Sequence, residues 1–340
     1  MTVTPTRRRS TISDVARLAG VSISTVSRVV NGSASVADET TTQVRQAIEA
    51  LNYTPSSAAR SLAGRKTQTI GLLLPQISGA FFAPMLLGIE VAARQNGFDL
   101  LVHSHGAQAS NGHTPIPIGS HNADGLLIFT SCLGDQEIRQ LHNEGMPLVL
   151  LFRTAPIGLG LPTIFFENQE SLRELINHLI EMHGRRRIGF LQGPAGNEES
   201  AQREAGYRAA LQSHGMKVDP ELVGVGNFTE QDARSTVEAW LRRGLIFDAI
   251  FGGDDDAATG AIMALRAAGL RVPEDVSVVG FDDVPYAHLI EPPLTTVHAP
   301  IQDAGLSAAR QLISLIQTGK AEHVTVLPTE VVIRRSCGCV

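Results

Sequence analysis

Acids make up the most chemically suggestive stretches of this 340-residue chain: Asp254-Asp255-Asp256 and Asp282-Asp283. Each run follows a short apolar segment that reads as a strand, over 248–251 and 276–280. Ligand-binding residues collect at such strand ends when strands alternate with helices. Five carboxylates could hold magnesium for phosphate chemistry, in an enzyme with Asp254, Asp255 and Asp282 on the ion. The GxxxxGK loop and the Gly-rich dinucleotide fingerprint that would support this are absent. A G-x-S-x-G elbow and a paired nucleophile and base are absent too, so catalysis is not expected. The other use of these acids is to accept hydrogen bonds from a bound small molecule. Arg203, in SAQREAGYRAAL, reads as opening a helix and can fork to hydroxyls or a carboxylate. Phe81 and Phe82 follow the first strand of the main domain, where an aromatic face can stack on a sugar ring or a base. Core packing competes with that role, more strongly at Phe81. The three cysteines, Cys132, Cys337 and Cys339, do not suggest a disulfide framework. Cys337-Gly-Cys339 is a C-x-C pair without further ligands nearby, and His103, His105, His113 and His121 match no metal-site spacing. No metal or cofactor is expected.

A different chemistry is written in TISDVARLAGVSISTVSRVVN, residues 11–31. Thr11 and Asp14 have capping-box spacing for a helix over 12–18, with Val15, Ala16, Leu18 and Ala19 as its apolar positions. Gly20 suits a left-handed turn, and Ser22 suits the cap of a second helix reaching about Val30. Val26, Val29 and Val30 then face the first helix. Ser22, Ile23, Ser24, Thr25, Ser27 and Arg28 remain for an outward face, joined by Asn31 and Ser35 in the following loop. Small hydroxyls allow close approach to phosphates, Ile23 can touch a thymine methyl, and Arg28 can bind guanine O6 and N7 in bidentate fashion. This is a helix-turn-helix that could read a major groove.

Charge is partitioned accordingly. Residues 1–66 carry nine Lys/Arg against four acids, a charge of +5, leaving −11 for the remainder of a chain whose total is −6. A basic head on an acidic body fits a small DNA module joined to a larger domain. Arg7-Arg8-Arg9 reads as an arm that touches phosphates. A third helix is expected over 38–51, with Val44, Ala47, Ile48 and Leu51 buried. Residues 56–63, SSAARSLA, are too short to be helical in water without packing. From Thr69 onward, strands near 70–75, 98–103, 125–130 and 147–152, and then 187–191, 221–225, 248–251 and 276–280, alternate with helices at 82–96, 170–183, 202–214, 230–243 and 256–268. That alternation predicts two doubly wound parallel-sheet lobes with a cleft at their strand ends. Within the first of these lobes, 106–122 (GAQASNGHTPIPIGSHN) is set apart by Pro115 and Pro117, which disfavour a regular helix.

TISDVARLAGVSISTVSRVVNG, then VRQAIEALNYTPSSAARSLAGRKTQTIGLLLP, GYRAAL, VPEDVSVVGFDD and PPLTTV together resemble the lactose/galactose-repressor family of bacterial transcription factors. The resemblance spans nearly the whole chain and weakens near 104–122. It implies a helix-turn-helix head over 1–55, a hinge helix and linker over 56–68, and a periplasmic-binding-protein-like core over 69–340. The core's N-lobe would comprise about 69–166 and 296–326, and its C-lobe about 167–295 and 327–340. Leu62 aligns with a leucine that wedges between base steps in the minor groove, and Ala59 with a close-approach position. Relatives cap the third helix with Ser or Thr where this chain has Ala37, so Asp38 is read as the substitute cap. Phe82, Asn197, Arg203, Phe228, Asp254 and Asp282 align with effector contacts. Glu167-Asn168 stands where relatives carry Asp-Asn, placing a longer acid at the cleft crossing. The implied protein is a cytoplasmic homodimeric repressor that binds a near-palindromic operator and is released by a sugar-like effector. A solute-binding protein shares the core fold, but the basic head and the missing signal peptide argue against it.

Overall fold

The computed structural model describes residues 10–31, 36–53, 66–104 and 116–339, the side chain of Asn31 excepted. Two units follow one another along the chain, 1–67 and 68–340.

In the first unit, α1 (Ile12–Ala19) begins with the expected capping box. The Asp14 N–H donates to Thr11 Oγ1 at 3.3 Å, and the Thr11 N–H donates to the Asp14 carboxylate at 3.0 Å. Gly20 closes the helix at φ 67°, a conformation that costs glycine little. Ser22 caps α2 (Ile23–Asn31) by accepting the Thr25 N–H at 3.1 Å. With α3 (Asp38–Ala50) these helices bury Val15, Ala16, Val26, Val44 and Ala47 in one small core. Leu18 departs from expectation: it is 55% exposed, on the outer side of α1. Asp38 does too. It is already the first helical residue, so its carboxylate cannot take the cap position. That position belongs to Ala37, which has no side-chain acceptor.

The second unit alternates strand and helix as β1 (Thr69–Leu74), α4 (Phe82–Gln95), β2 (Asp99–Ser104), β3 (Gly125–Phe129), α5 (Asp135–Asn143), β4 (Leu148–Leu151) and β5 (Thr163–Phe166). It continues through α6 (Gln169–His183), β6 (Ile188–Gln192), α7 (Glu198–Ser213), β7 (Val223–Val225), α8 (Glu230–Arg242), β8 (Ala249–Phe251), α9 (Asp255–Ala267) and β9 (Ser277–Val279). Then come β10 (Thr296–His298), α10 (Ile301–Thr318), β11 (Val324–Leu327) and β12 (Glu330–Val332). One sheet runs β11-β5-β4-β3-β1-β2 and another β7-β6-β8-β9, both parallel throughout. Every residue of β3 and β4 is buried, as expected of parallel strands covered on both faces. The antiparallel pair β10–β12 is an addition to the expected parallel sheets.

Two helices escape the sequence reading, α5 and α10. The second crosses α4 closely: a Cβ on Gly88 would lie 2.0 Å from the Gln302 carbonyl, and one on Gly305 2.2 Å from that of Met85. These reciprocal glycines let the two backbones meet. The start of α7 is also corrected, from near 202 to Glu198, because the Asn197 side chain accepts the Ser200 N–H at 2.8 Å and begins the helix earlier. Residues 105–115 of the proline-containing segment lie outside the described residues. Its described end turns tightly, with the Gly119 N–H on Asn122 Oδ1 at 2.9 Å. At the C-terminus, Cys337 and Cys339 come to rest beside His178 and His183 of α6. The reading of C-x-C as lacking further ligands therefore holds only along the chain, not in space.

Candidate functional site

Strand order reverses between β1 and β3 in the first sheet and between β6 and β8 in the second. Residues just beyond the carboxyl ends of these strands line a single cleft of about 1290 Å³, where a doubly wound fold places its ligands.

One wall is aromatic. Phe81, Phe82, Phe129 and Phe152 meet with ring centroids 5.4–6.1 Å apart, mostly edge to face. Both members of the Phe81-Phe82 pair line the cleft, but Phe82 is only 7% exposed and packs into the core, while Phe81 is half-buried. The expected division between them is thus reversed. Phe82 sits at the buried start of α4, one residue past the partly exposed cap.

The opposite wall centres on Arg203, which is 3% exposed. It lies in the second turn of α7 rather than at its opening, for the reason given above. Its Nε donates to Asn168 Oδ1 at 2.9 Å, Nη1 to the Gly253 carbonyl at 2.8 Å, and Nη2 to Asp282 Oδ1 at 3.1 Å. The guanidinium lies 3.7 Å from the centre of the Phe281 ring and 5.5 Å from that of Phe228. Glu199, one turn earlier on α7, approaches Nη2 at 3.6 Å, and its Oε1 is buried without a hydrogen-bond partner. Three of the guanidinium's five N–H groups are therefore already engaged by the protein. Burial pushes the Asp282 carboxyl up to about 6 against the pull of Arg203, and that of Glu199 up to about 7. Asp254 caps α9, accepting the Ala257 N–H at 2.8 Å, and burial holds its carboxyl well above the usual range. Phe228 adopts φ 57° and packs over Gly193, where a Cβ would come within 2.2 Å of the ring.

The five acids of the two runs do not act together. Asp254, Asp256 and Asp282 line the cleft. Asp255 is fully buried and accepts the Val284 N–H at 2.9 Å and the Thr296 hydroxyl at 2.5 Å. Asp283 pairs with Arg334 at 2.6 Å and with His298 at 3.2 Å. Of the three acids in the magnesium-enzyme reading, Asp254 and Asp282 line the cleft while Asp255 is buried on Val284 and Thr296. Glu167 stands between β5 and α6. Its carboxylate turns to the start of α6 and accepts the N–H groups of Gln169, Glu170 and Ser171 at 2.7–3.0 Å, so it serves the helix terminus.

On the first unit, α2 presents Ser22, Ile23, Ser24 and Arg28 as exposed side chains, with Thr25 and Ser27 half-buried. Ser22 Oγ lies 2.7 Å from Ser24 Oγ and 2.8 Å from Thr25 Oγ1, gathering three hydroxyls at the helix N-terminus. Asn31 ends the helix rather than opening a loop. Ser35, Ala59, Leu62 and the Arg7-Arg8-Arg9 arm lie outside the described residues.

Residues 11–56 match the family described as bacterial regulatory proteins, lacI family, and residues 176–337 match a periplasmic binding protein-like domain. The chain is 34% identical to the HTH-type transcriptional regulator CelR of Thermobifida fusca, over 97% of this chain and 99% of that protein. It belongs to the LacI family. A second relative, the HTH-type transcriptional repressor PurR of Aliivibrio salmonicida (strain LFI1238), is 34% identical over 96% of this chain and 98% of its own length. Among solved structures, the CelR–cellobiose complex superposes with a TM-score of 0.69 at 34% identity, covering 96% of this chain and 100% of that one. The lac repressor dimer bound to operator and the anti-inducer ONPF gives 0.80 at 26% identity, covering 97% and 99%.

This LacI-family chain is a ligand-responsive, DNA-binding transcriptional regulator and not an enzyme. No helix among its described residues is long and apolar enough to cross a membrane. Sequence reasoning missed several cleft-lining groups: Phe129, Phe152 and Glu199. Phe129 and Phe152 end or follow apolar strands, the same position that drew attention to Asp254, so their place could have been found. Glu199 gives no such signal, because an acid in the first turn of a helix ordinarily faces water.

Proposed function

We propose that this regulator is a cytoplasmic homodimeric repressor of a near-palindromic operator, released when a sugar enters the cleft. In this reading the head (1–55) contacts DNA through Ser22, Ile23, Ser24, Thr25, Ser27, Arg28, Asn31 and Ser35. The hinge segment (56–68) adds Ala59 and Leu62. The core (69–340) binds the effector through Phe82, Asn197, Arg203, Phe228, Asp254 and Asp282.

The observation that carries the effector class is the meeting, in one cleft, of a phenylalanine wall with the buried Arg203–Asp282 pair. A sugar offers an apolar C–H face to stack on aromatic rings and hydroxyls that both donate and accept. Carboxylates and the two uncommitted guanidinium N–H groups suit those hydroxyls. The cellobiose bound in the CelR complex and the operator bound by the lac repressor dimer agree in kind. Because ligand and DNA act on one equilibrium, each must change the affinity of the other by the same factor, usually about 5–150-fold.

The test combines an operator titration with a thermal-shift screen of mono- and disaccharides on the full chain. At least one sugar should raise the melting temperature and weaken operator binding by the reciprocal factor, with the effect lost in Asp282→Ala. If the operator is bound but no carbohydrate alters either reading, the effector is not a sugar. A ligand that strengthens operator binding would make the protein a co-repressor-dependent regulator.

A further inference from the structure

We propose that His178, His183, Cys337 and Cys339 form a structural zinc site that fastens the C-terminus to α6.

The four donor atoms lie within 4.8 Å of one another. His178 Nε2 and His183 Nε2 are 3.2 Å apart, and Cys339 Sγ is 3.5 Å from the first and 3.4 Å from the second. Cys337 Sγ is 3.7 Å from His178 Nε2. A tetrahedral ion with zinc's bond lengths to sulfur and nitrogen requires separations of roughly 3.3–3.8 Å between its ligands. These four spacings fall in or beside that range before any ion is added. Two imidazoles and two thiols are donors that suit zinc rather than magnesium or calcium. Four protein donors complete its coordination, which marks a structural site and not a catalytic one.

The surrounding chain holds these donors in place independently of one another. His178 and His183 occupy the last turns of α6. The cysteines belong to a tail anchored on β9 and the chain just before β10. Ser336 Oγ donates to the Val278 carbonyl at 2.6 Å and accepts the Thr295 N–H at 2.8 Å, while the Ser277 hydroxyl donates to the Cys337 carbonyl at 2.7 Å. Between the cysteines, Gly338 takes φ 116°, and a Cβ there would lie 2.9 Å from His183 Nδ1. That residue type allows both thiols to turn toward the histidines. The remaining cysteine, Cys132, is buried beside the effector cleft and serves as a control.

The experiment uses the untagged full chain from zinc-supplemented cells, desalted and measured by elemental mass spectrometry. About one zinc per chain is expected, unchanged in Cys132→Ser and reduced to background in Cys339→Ser and His183→Ala. Cobalt substitution should give the intense visible absorption of a tetrahedral thiolate site, and a strong chelator should lower the melting temperature of the wild type only. The wild-type zinc content and cobalt spectrum decide the matter even if a variant fails to fold. Zinc well below stoichiometry after dialysis against the metal, an octahedral cobalt spectrum, or full zinc in Cys339→Ser would each overturn the proposal.

Discussion

The head and the cleft use polar residues in opposite ways. On α2 the hydroxyls and Arg28 sit at an exposed face, above a core of Val15, Ala16, Val26, Val44 and Ala47 that they do not enter. In the cleft, Arg203, Asp282, Asp254 and Glu199 are all at least nine-tenths buried and held by one another and by the backbone. Surface side chains away from caps and cores carry little stability. A buried ion pair costs desolvation energy that only well-placed partners offset. Apart from Ser22, which also caps α2, the head can therefore change its reading residues with little effect on its fold, whereas the cleft cannot change its ligand-binding groups without disturbing the core.

The largest expected effect tests the buried half of that contrast. Arg203→Ala should remove the ligand response and also destabilise the core by about 3–5 kcal/mol, because Asp282 and Glu199 lose their cation. Chemical denaturation of the core would read this. The double variant Arg203→Met/Asp282→Asn should be less destabilised than the single one, since Asn tolerates the φ of 104° at position 282 and no charge is left there unpaired. Equal loss in both variants would mean that Arg203 stabilises by packing on Phe281 rather than by charge.

The same burial predicts a pH dependence. Glu199 is raised from an ordinary 4.5 to about 7 and Asp282 from 3.8 to about 6. Across that window the folded core holds protons that the unfolded chain has released. Their contribution to stability is full below about pH 4 and is lost as pH rises through 6 to 7. Glu199→Gln stays neutral throughout, so between pH 5 and 8 its stability should fall less than that of the wild type, by an amount on the order of 3 kcal/mol. Parallel curves for the two proteins would show that Glu199 is already charged at low pH.

The exposed half is tested by Arg28→Ala. Operator binding should weaken by about 1–3 kcal/mol relative to random DNA, while the melting temperature of the head stays nearly constant. Equal losses on both DNAs would make Arg28 a phosphate contact rather than a reading residue.

What could be read from the sequence follows the same division. The helix-turn-helix was legible because its signals are local: Thr11 with Asp14, Gly20 and Ser22 each fix a backbone turn within four residues. The alternating strands of the core were legible from their apolar runs. Partnerships between distant segments were not. Nothing near Asp255 predicts Thr296, and Cys337 meets His178 across 159 positions. The α10 helix was missed because Ile301 follows Pro300 without a side-chain cap, and its packing on α4 rests on two glycines that read as helix breakers.

The smallest expected effect concerns Ala37, where even local reading failed. Asp38 is an acid in the right neighbourhood for a cap, but the backbone turns helical at Asp38 itself, leaving Ala37 in extended geometry with no acceptor for the first N–H groups of α3. Asp38 then acts only through its charge near the positive helix end. Ala37→Ser would restore an oxygen at the cap position and should stabilise the head by about 1 kcal/mol, read as a higher melting temperature with unchanged operator affinity. Asp38→Asn should cost only a few tenths of a kcal/mol, and less in high salt. If Ala37→Ser has no effect while Asp38→Asn costs as much as a lost cap, the helix begins one residue later in solution and Asp38 is the cap after all. That outcome would leave the contrast between head and cleft intact but move the head's third helix boundary.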